Sequence, residues 1–254
     1  MHRRGAENLI DIVQDNRWQE ETSRYIPRLA VTIDISAELK YAIKAYWPGC
    51  FFSTEKPSRG ASVAIRLGVY TNNVFSTSLL ISRAIVDQWR SGLFVLVPLS
   101  TRFVIESWGA IHFARRTLDR LIQHNDVERE ENRVNRLTFG TRSDVQLPWG
   151  GLSNETSFNV ITFIKSLSDV NNQAEEFYNF LSEACHPNFI QSMYFQMAGP
   201  PLANWNNDNY KEHAHKLLNK TVTVLEAAMS GIQADVTHVM EAATNYVKSE
   251  TELA

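Results

Sequence analysis

The stretch PLSTRFVIESWGAIHFARRTLDRLIQ, Pro98 to Gln123, decides the fold. Its apolar residues Leu99, Phe103, Ala110, Phe113, Leu118 and Leu121 recur at mixed spacings of three, four and seven, which is one face of a helix with a 3.6-residue period. Pro98 suits the opening, where its missing N–H removes no bond, and Ser100 or Thr101 can accept from the orphan backbone donors of the first turn. Arg102 and Glu106 stand one turn apart, so they share a face and can pair. Gly109 falls in mid-helix, where glycine is roughly 1 kcal/mol worse than alanine. Close approach of another helix, rather than of a ligand, is the commoner compensation.

Upstream, Ala61 to Arg90 contains no proline and repeats Val63, Leu67, Tyr70, Val74, Leu79, Ile81, Ile85 and Trp89 at helical spacing. That predicts a helix on the order of 45 Å long. The polar cluster Asn72, Asn73, Ser76, Thr77 and Ser78 at its centre is expected on an exposed face. Residues 6–24 and a stretch from Asp34 read as two further amphipathic helices, followed by a loop through residues 51–60.

Downstream, the organising helix either continues through NDVEREENRVNRL or breaks near Asn125. Residues 140–153, with Gly140, Pro148, Gly150 and Gly151, form a loop. Asn154 or Thr156 then caps a helix carrying Phe158, Ile161, Ile164 and Leu167. Asn172 with Glu175 matches a capping box for a helix running to Cys185, which must end near His186 because Pro187 disfavours helical geometry before it. Tyr210 to Val247 is a last long helix with a candidate bend at Gly231. The pattern predicts an all-α bundle of about six or seven helices, with long central helices antiparallel. It forms a single domain, 1–254, in which 140–153 is an internal loop or subdomain boundary.

The chain has 254 residues, 44% of them hydrophobic, enough for a sizeable core. A formal charge of -3 and a pI near 6.2 argue against attachment to nucleic acid by overall charge, while leaving room for a local basic patch. Between Arg102 and Asp144 lie eight arginines, no lysine and seven acids, a balance expected of a solvated helix laced with ion pairs. Cys50 and Cys185 are too few to staple a secreted domain. No segment at the N-terminus resembles a signal peptide, and the run GLFVLVPL is far short of the ~20 residues a membrane helix needs. A cytoplasmic protein without a membrane partner, free to form oligomers, is expected.

The most distinctive local text is YNFLSEACHPN, Tyr178 to Asn188. A histidine at a helix end beside proline suits a general base, and equally a cap on the last carbonyls. Glu183 and His186 have the Glu-x-x-His spacing of di-iron bundles, Asp235 and His238 repeat it with a shorter acid, and Glu106 can add a carboxylate, so a carboxylate-bridged metal site is an alternative. His112 and His124 stand alone, which favours satisfied structure. No phosphate loop, dinucleotide glycine pattern or nucleophile elbow is present, and no cofactor is expected.

Together with STRFVIESWGAIHFA, the segment YNFLSEACHPN resembles the HEPN-like helical proteins, a superfamily that includes ribonuclease toxins and abortive-infection proteins. The chain departs from the ribonuclease pattern, in which four to six residues lie between an Arg and the His that follows it: only three residues separate Arg120 from His124, and no Arg or Lys precedes His186 within reach. The resemblance implies an RNA- or nucleotide-directed protein of a stress or defence system, with Arg102, Glu106 and His186 at a polar centre. Asn188, Trp108 and Arg116 are the candidate substrate contacts. The alternative of another class is a non-catalytic interaction module that binds a protein partner. Convergence of Arg102, Glu106 and His186 in one cleft would favour the first; separate packing with an exposed apolar patch would favour the second.

Overall fold

The computed structural model describes residues 27–28, 57–91, 93–140, 156–186 and 208–252. Within them it is all-α: α1 (Arg59–Arg90), α2 (Leu96–His124), α3 (Val127–Phe139), α4 (Val160–Ser166) continued by a 3-10 turn (Leu167–Asp169), α5 (Ala174–Cys185) and α6 (Asp208–Glu252). The expected helices at 6–24 and from Asp34, and the 140–153 loop beyond Gly140, lie outside the described residues. No described helix is long and apolar enough to cross a membrane.

The described residues divide into two compact units. One takes those within 1–36, 78–105 and 173–230, the other those within 37–77, 106–172 and 231–254. Three of the divisions fall inside α1, α2 and α6 and another just before α5, so each long helix contributes to both units.

In the second unit, Ala61, Val63, Ala64 and Leu67 of α1 pack with Ala114, Leu118 and Leu121 of α2, Val134 of α3, and Val239, Ala243 and Val247 of α6. Full burial of each leucine contributes about 1.5–3 kcal/mol. Gly109 has the expected cause: a Cβ there would lie 2.8 Å from the Phe163 backbone, so α4 approaches α2 directly. A Cβ at Gly231 would overlap the Trp108 indole, so the glycine is what lets that ring approach α6 so closely. In the first unit, Trp89 meets Phe94 edge to face at 5.6 Å, and the Ser82 hydroxyl donates to Met229 Sδ at 3.2 Å.

Local chemistry sets the helix ends. α2 begins at Leu96, two residues before Pro98, which therefore sits in the first turn where backbone N–H groups have no intrahelical partner. Ser100 does not cap it; its hydroxyl bonds the Gln88 amide oxygen at 3.1 Å. The helix breaks at Asn125, in the left-handed region at φ 50°, and Asp126 caps α3 by accepting from the Arg129 N–H. Asn159, not Asn154 or Thr156, caps α4. The capping box at α5 does not form, since Gln173 rather than Asn172 occupies the cap position and its side chain does not cap the helix. His186 ends α5 in extended geometry, φ -88°, ψ 149°, as a residue before proline should.

Two expectations about faces change. Of the polar cluster expected outside, Ser78 is fully buried in α1, although Asn73 and Thr77 face outward. Leu99 and Phe103 are exposed, while Val97, Val104, Ile105 and Ile111 supply the buried side of α2. Both sets satisfy helical spacing; tertiary contacts choose between them.

Candidate functional site

Arg102, on the N-terminal part of α2, donates from Nη2 to the Tyr178 hydroxyl at 2.9 Å, and its guanidinium lies 5.1 Å from the centre of the same ring. Tyr178 belongs to α5, eight residues before His186, about 12 Å along a helix axis. His186 itself is exposed. Glu106 is half-buried one turn beyond Arg102 and belongs to the second unit. Asn188 lies outside the described residues. Arg116 is exposed and pairs with Asp169 at 2.8 Å. Trp108 is buried at 4% exposure, so its ring faces the interior.

Trp108 leads to the densest polar arrangement in the second unit. Asp235, 3% exposed on α6, accepts at Oδ2 from the Trp108 indole N–H at 3.2 Å and pairs there with His112 Nδ1 at 3.0 Å; Arg115 Nη1 donates to Oδ1 at 2.8 Å. Arg115 also lies 3.8 Å from Asp119, whose Oδ1 meets His238 Nε2 at 2.7 Å. Two aspartate–histidine pairs are thus linked by one guanidinium. Burial works to raise the Asp235 carboxyl, but the bonds and charges of His112 and Arg115 outweigh it and hold the group below the ordinary aspartate value. His112 is 3% exposed, and its Nε2 has no hydrogen-bond partner among the described residues.

The metal alternative finds no site here. Among the described residues no three His, Cys, Asp or Glu side chains gather to hold an ion. Glu183, His186, Asp235, His238 and Glu106 all lie within that set, and both Asp235 oxygens are already occupied by N–H donors.

A second charged cluster joins α2 to α3. Glu130 is 1% exposed; its Oε1 pairs with Arg133 Nη1 and lies 3.5 Å from Arg120 Nε. Arg120 Nη2 donates to the Thr117 hydroxyl at 3.1 Å. Burial, with the like charge of Arg133, draws the Arg120 guanidinium below its ordinary value. Glu131 is taken instead by Arg59 and Arg66 of α1, at 2.6 and 2.9 Å. Arg136 stacks 3.9 Å from the Phe158 ring centre and donates to the Thr156 carbonyl.

His112, Arg115 and Asp119 carry no part in the sites expected from sequence. The signal was local: Trp108, His112, Arg115 and Asp119 follow each other at four, three and four residues, a polar row on a helix that is otherwise apolar inside. No family model, curated protein or solved structure matches the chain.

Proposed function

We propose that the chain is a non-catalytic helical interaction module that takes a protein partner along the N-terminal part of α2. The observation that carries this is the row Leu93, Leu96, Leu99 and Phe103, which are 37, 37, 44 and 39% exposed. At about 100° per residue, Leu96, Leu99 and Phe103 fall within about 60° of one another, and such i, i+3, i+7 anchors are what a partner helix or groove reads. An apolar row left in water is unfavourable by itself, and contiguous exposed patches mark association surfaces.

A photo-crosslinking side chain at Leu99 should capture a defined protein in cells, and one at Arg83, exposed in the same unit, should not. Replacing Leu96 and Phe103 by Glu should abolish the capture. Equal capture from both positions, or none from position 99, refutes the proposal.

A second reading keeps the RNA- or nucleotide-directed protein of a stress or defence system that the HEPN-like resemblance implies. It is favoured by the Arg102–Tyr178 contact, which brings α2 against the helix that ends at the exposed His186. Arg102 would hold a phosphate through its planar fork and His186 would carry the proton. Wild type and His186→Ala expressed in parallel test it through growth and RNA integrity. Identical, harmless behaviour of both removes it.

A further inference from the structure

We infer that α2 and α3 form a binding site for phosphate esters, the groups borne by a mononucleotide or an RNA strand, in which Arg120 and Arg133 are held side by side by buried Glu130 while Arg116 and Arg129 flank them. The site lies in the second unit and does not rest on the apolar row of α2.

One buried carboxylate is neutralised by one cation, yet Glu130 is given two. Arg133 and Arg120 both address its Oε1, and its Oε2 has no hydrogen-bond partner among the described residues. The Arg133 and Arg120 side chains keep 24 and 26% of their surface in solvent, so neither is sealed from water, although the Arg120 Nε is buried without a hydrogen-bond partner among the described residues. Arg129 is exposed and makes no ion pair among the described residues. At about 100° per residue, Arg129 and Arg133 lie within about 40° of each other, whereas Glu131 is turned roughly 160° away from them, where Arg59 and Arg66 take it. The near-neutral balance read from the sequence is therefore sorted in space. Arg116, Arg120, Arg129 and Arg133 stand against Glu130, Asp169 and the capping Asp126, four cations to three carboxylates, which leaves one positive charge in excess.

Gathering like charges without an anion is unfavourable. Every cation here is arginine, whose planar fork matches two phosphate oxygens in a way an ammonium cannot. The Arg116–Asp169 pair is open to exchange, since its side chains are 44 and 58% exposed and surface pairs are worth little. Glu130 is a positioning residue: it fixes the spacing of two guanidinium groups and does not touch the ligand.

Fluorescence anisotropy with a labelled mononucleotide and a labelled single-stranded RNA oligomer tests the site on the full chain, with circular dichroism confirming the fold of each variant. Arg116→Gln combined with Arg129→Gln changes only exposed side chains. It should weaken binding about tenfold at low salt and, on the strand, flatten the salt dependence by about 0.7 for each phosphate no longer neutralised. Arg83→Gln removes one exposed positive charge that belongs to the other unit and should leave binding nearly unchanged. Glu130→Gln discriminates by sign: a diffuse basic patch would bind more tightly after losing a negative charge, whereas a positioned pair binds more weakly. Binding of the mononucleotide and the strand assigns a single-phosphate site, and binding of the strand alone assigns an RNA backbone site. Absence of saturable binding by either probe, equal effects of the Arg116/Arg129 and Arg83 variants, or tighter binding by a folded Glu130→Gln would overturn the inference.

Discussion

Replacing Asp235 by Ala removes one acceptor from three donors at once. Trp108 and His112 are 4 and 3% exposed, so their N–H groups would be stranded away from water, at about 1–3 kcal/mol each. The Arg115 side chain is 31% exposed and can rehydrate, so its loss adds little. The expected destabilisation is about 4 kcal/mol, within the 3–5 kcal/mol typical of breaking a buried charged pair. Asp235→Asn keeps one oxygen and the side-chain shape, and should lose roughly half as much. Urea unfolding followed by indole fluorescence and far-ultraviolet circular dichroism would read both values from the midpoint at constant slope. Trp108→Phe together with Asp235→Ala should be less damaging than the sum of the single changes, since the two share one bond. A loss below about 1 kcal/mol for Asp235→Ala, with unchanged slope, would show that the three donors find other acceptors and refute the reasoning.

The same carboxylate gives a pH prediction. Because its folded value lies below the ordinary one, the unfolded chain binds the extra proton and stability rises with pH; the contribution is complete above about pH 5 and fades as pH falls through and below about 3.9. Acid titration of stability should therefore be shallower in Asp235→Asn. Gly231→Ala, which on an ordinary helix would gain up to about 1 kcal/mol, should instead destabilise by about 2–3 kcal/mol because its methyl group meets the Trp108 ring; a thermal melt checks the sign. Asp126→Ala should cost about 1 kcal/mol through loss of the α3 cap, readable in urea titration.

Helix existence and most boundaries were legible because they depend on near neighbours. Pro187 stops α5, and the Asn125–Asp126 pair separates α2 from α3 through a left-handed turn and a side-chain cap. The all-α class followed from these. Facing was less legible, since Leu99 and Val97 are equally apolar and only the packed neighbours leave one in water. The polar row of α2 was written at regular intervals, yet its meaning depends on Asp235, more than a hundred residues later. Likewise the charge count between Arg102 and Asp144 could not reveal that α1 removes Glu131 from the arginine side of α3.

The passage of α1, α2 and α6 through both units bears on how the molecule can be dissected. Neither unit corresponds to an uninterrupted piece of gene, so no simple truncation at either end would deliver one of them intact. A nonsense or frameshift lesion in α6 before Gly231 would remove material from both halves together, and genetic mapping by such deletions would assign every activity to the whole chain.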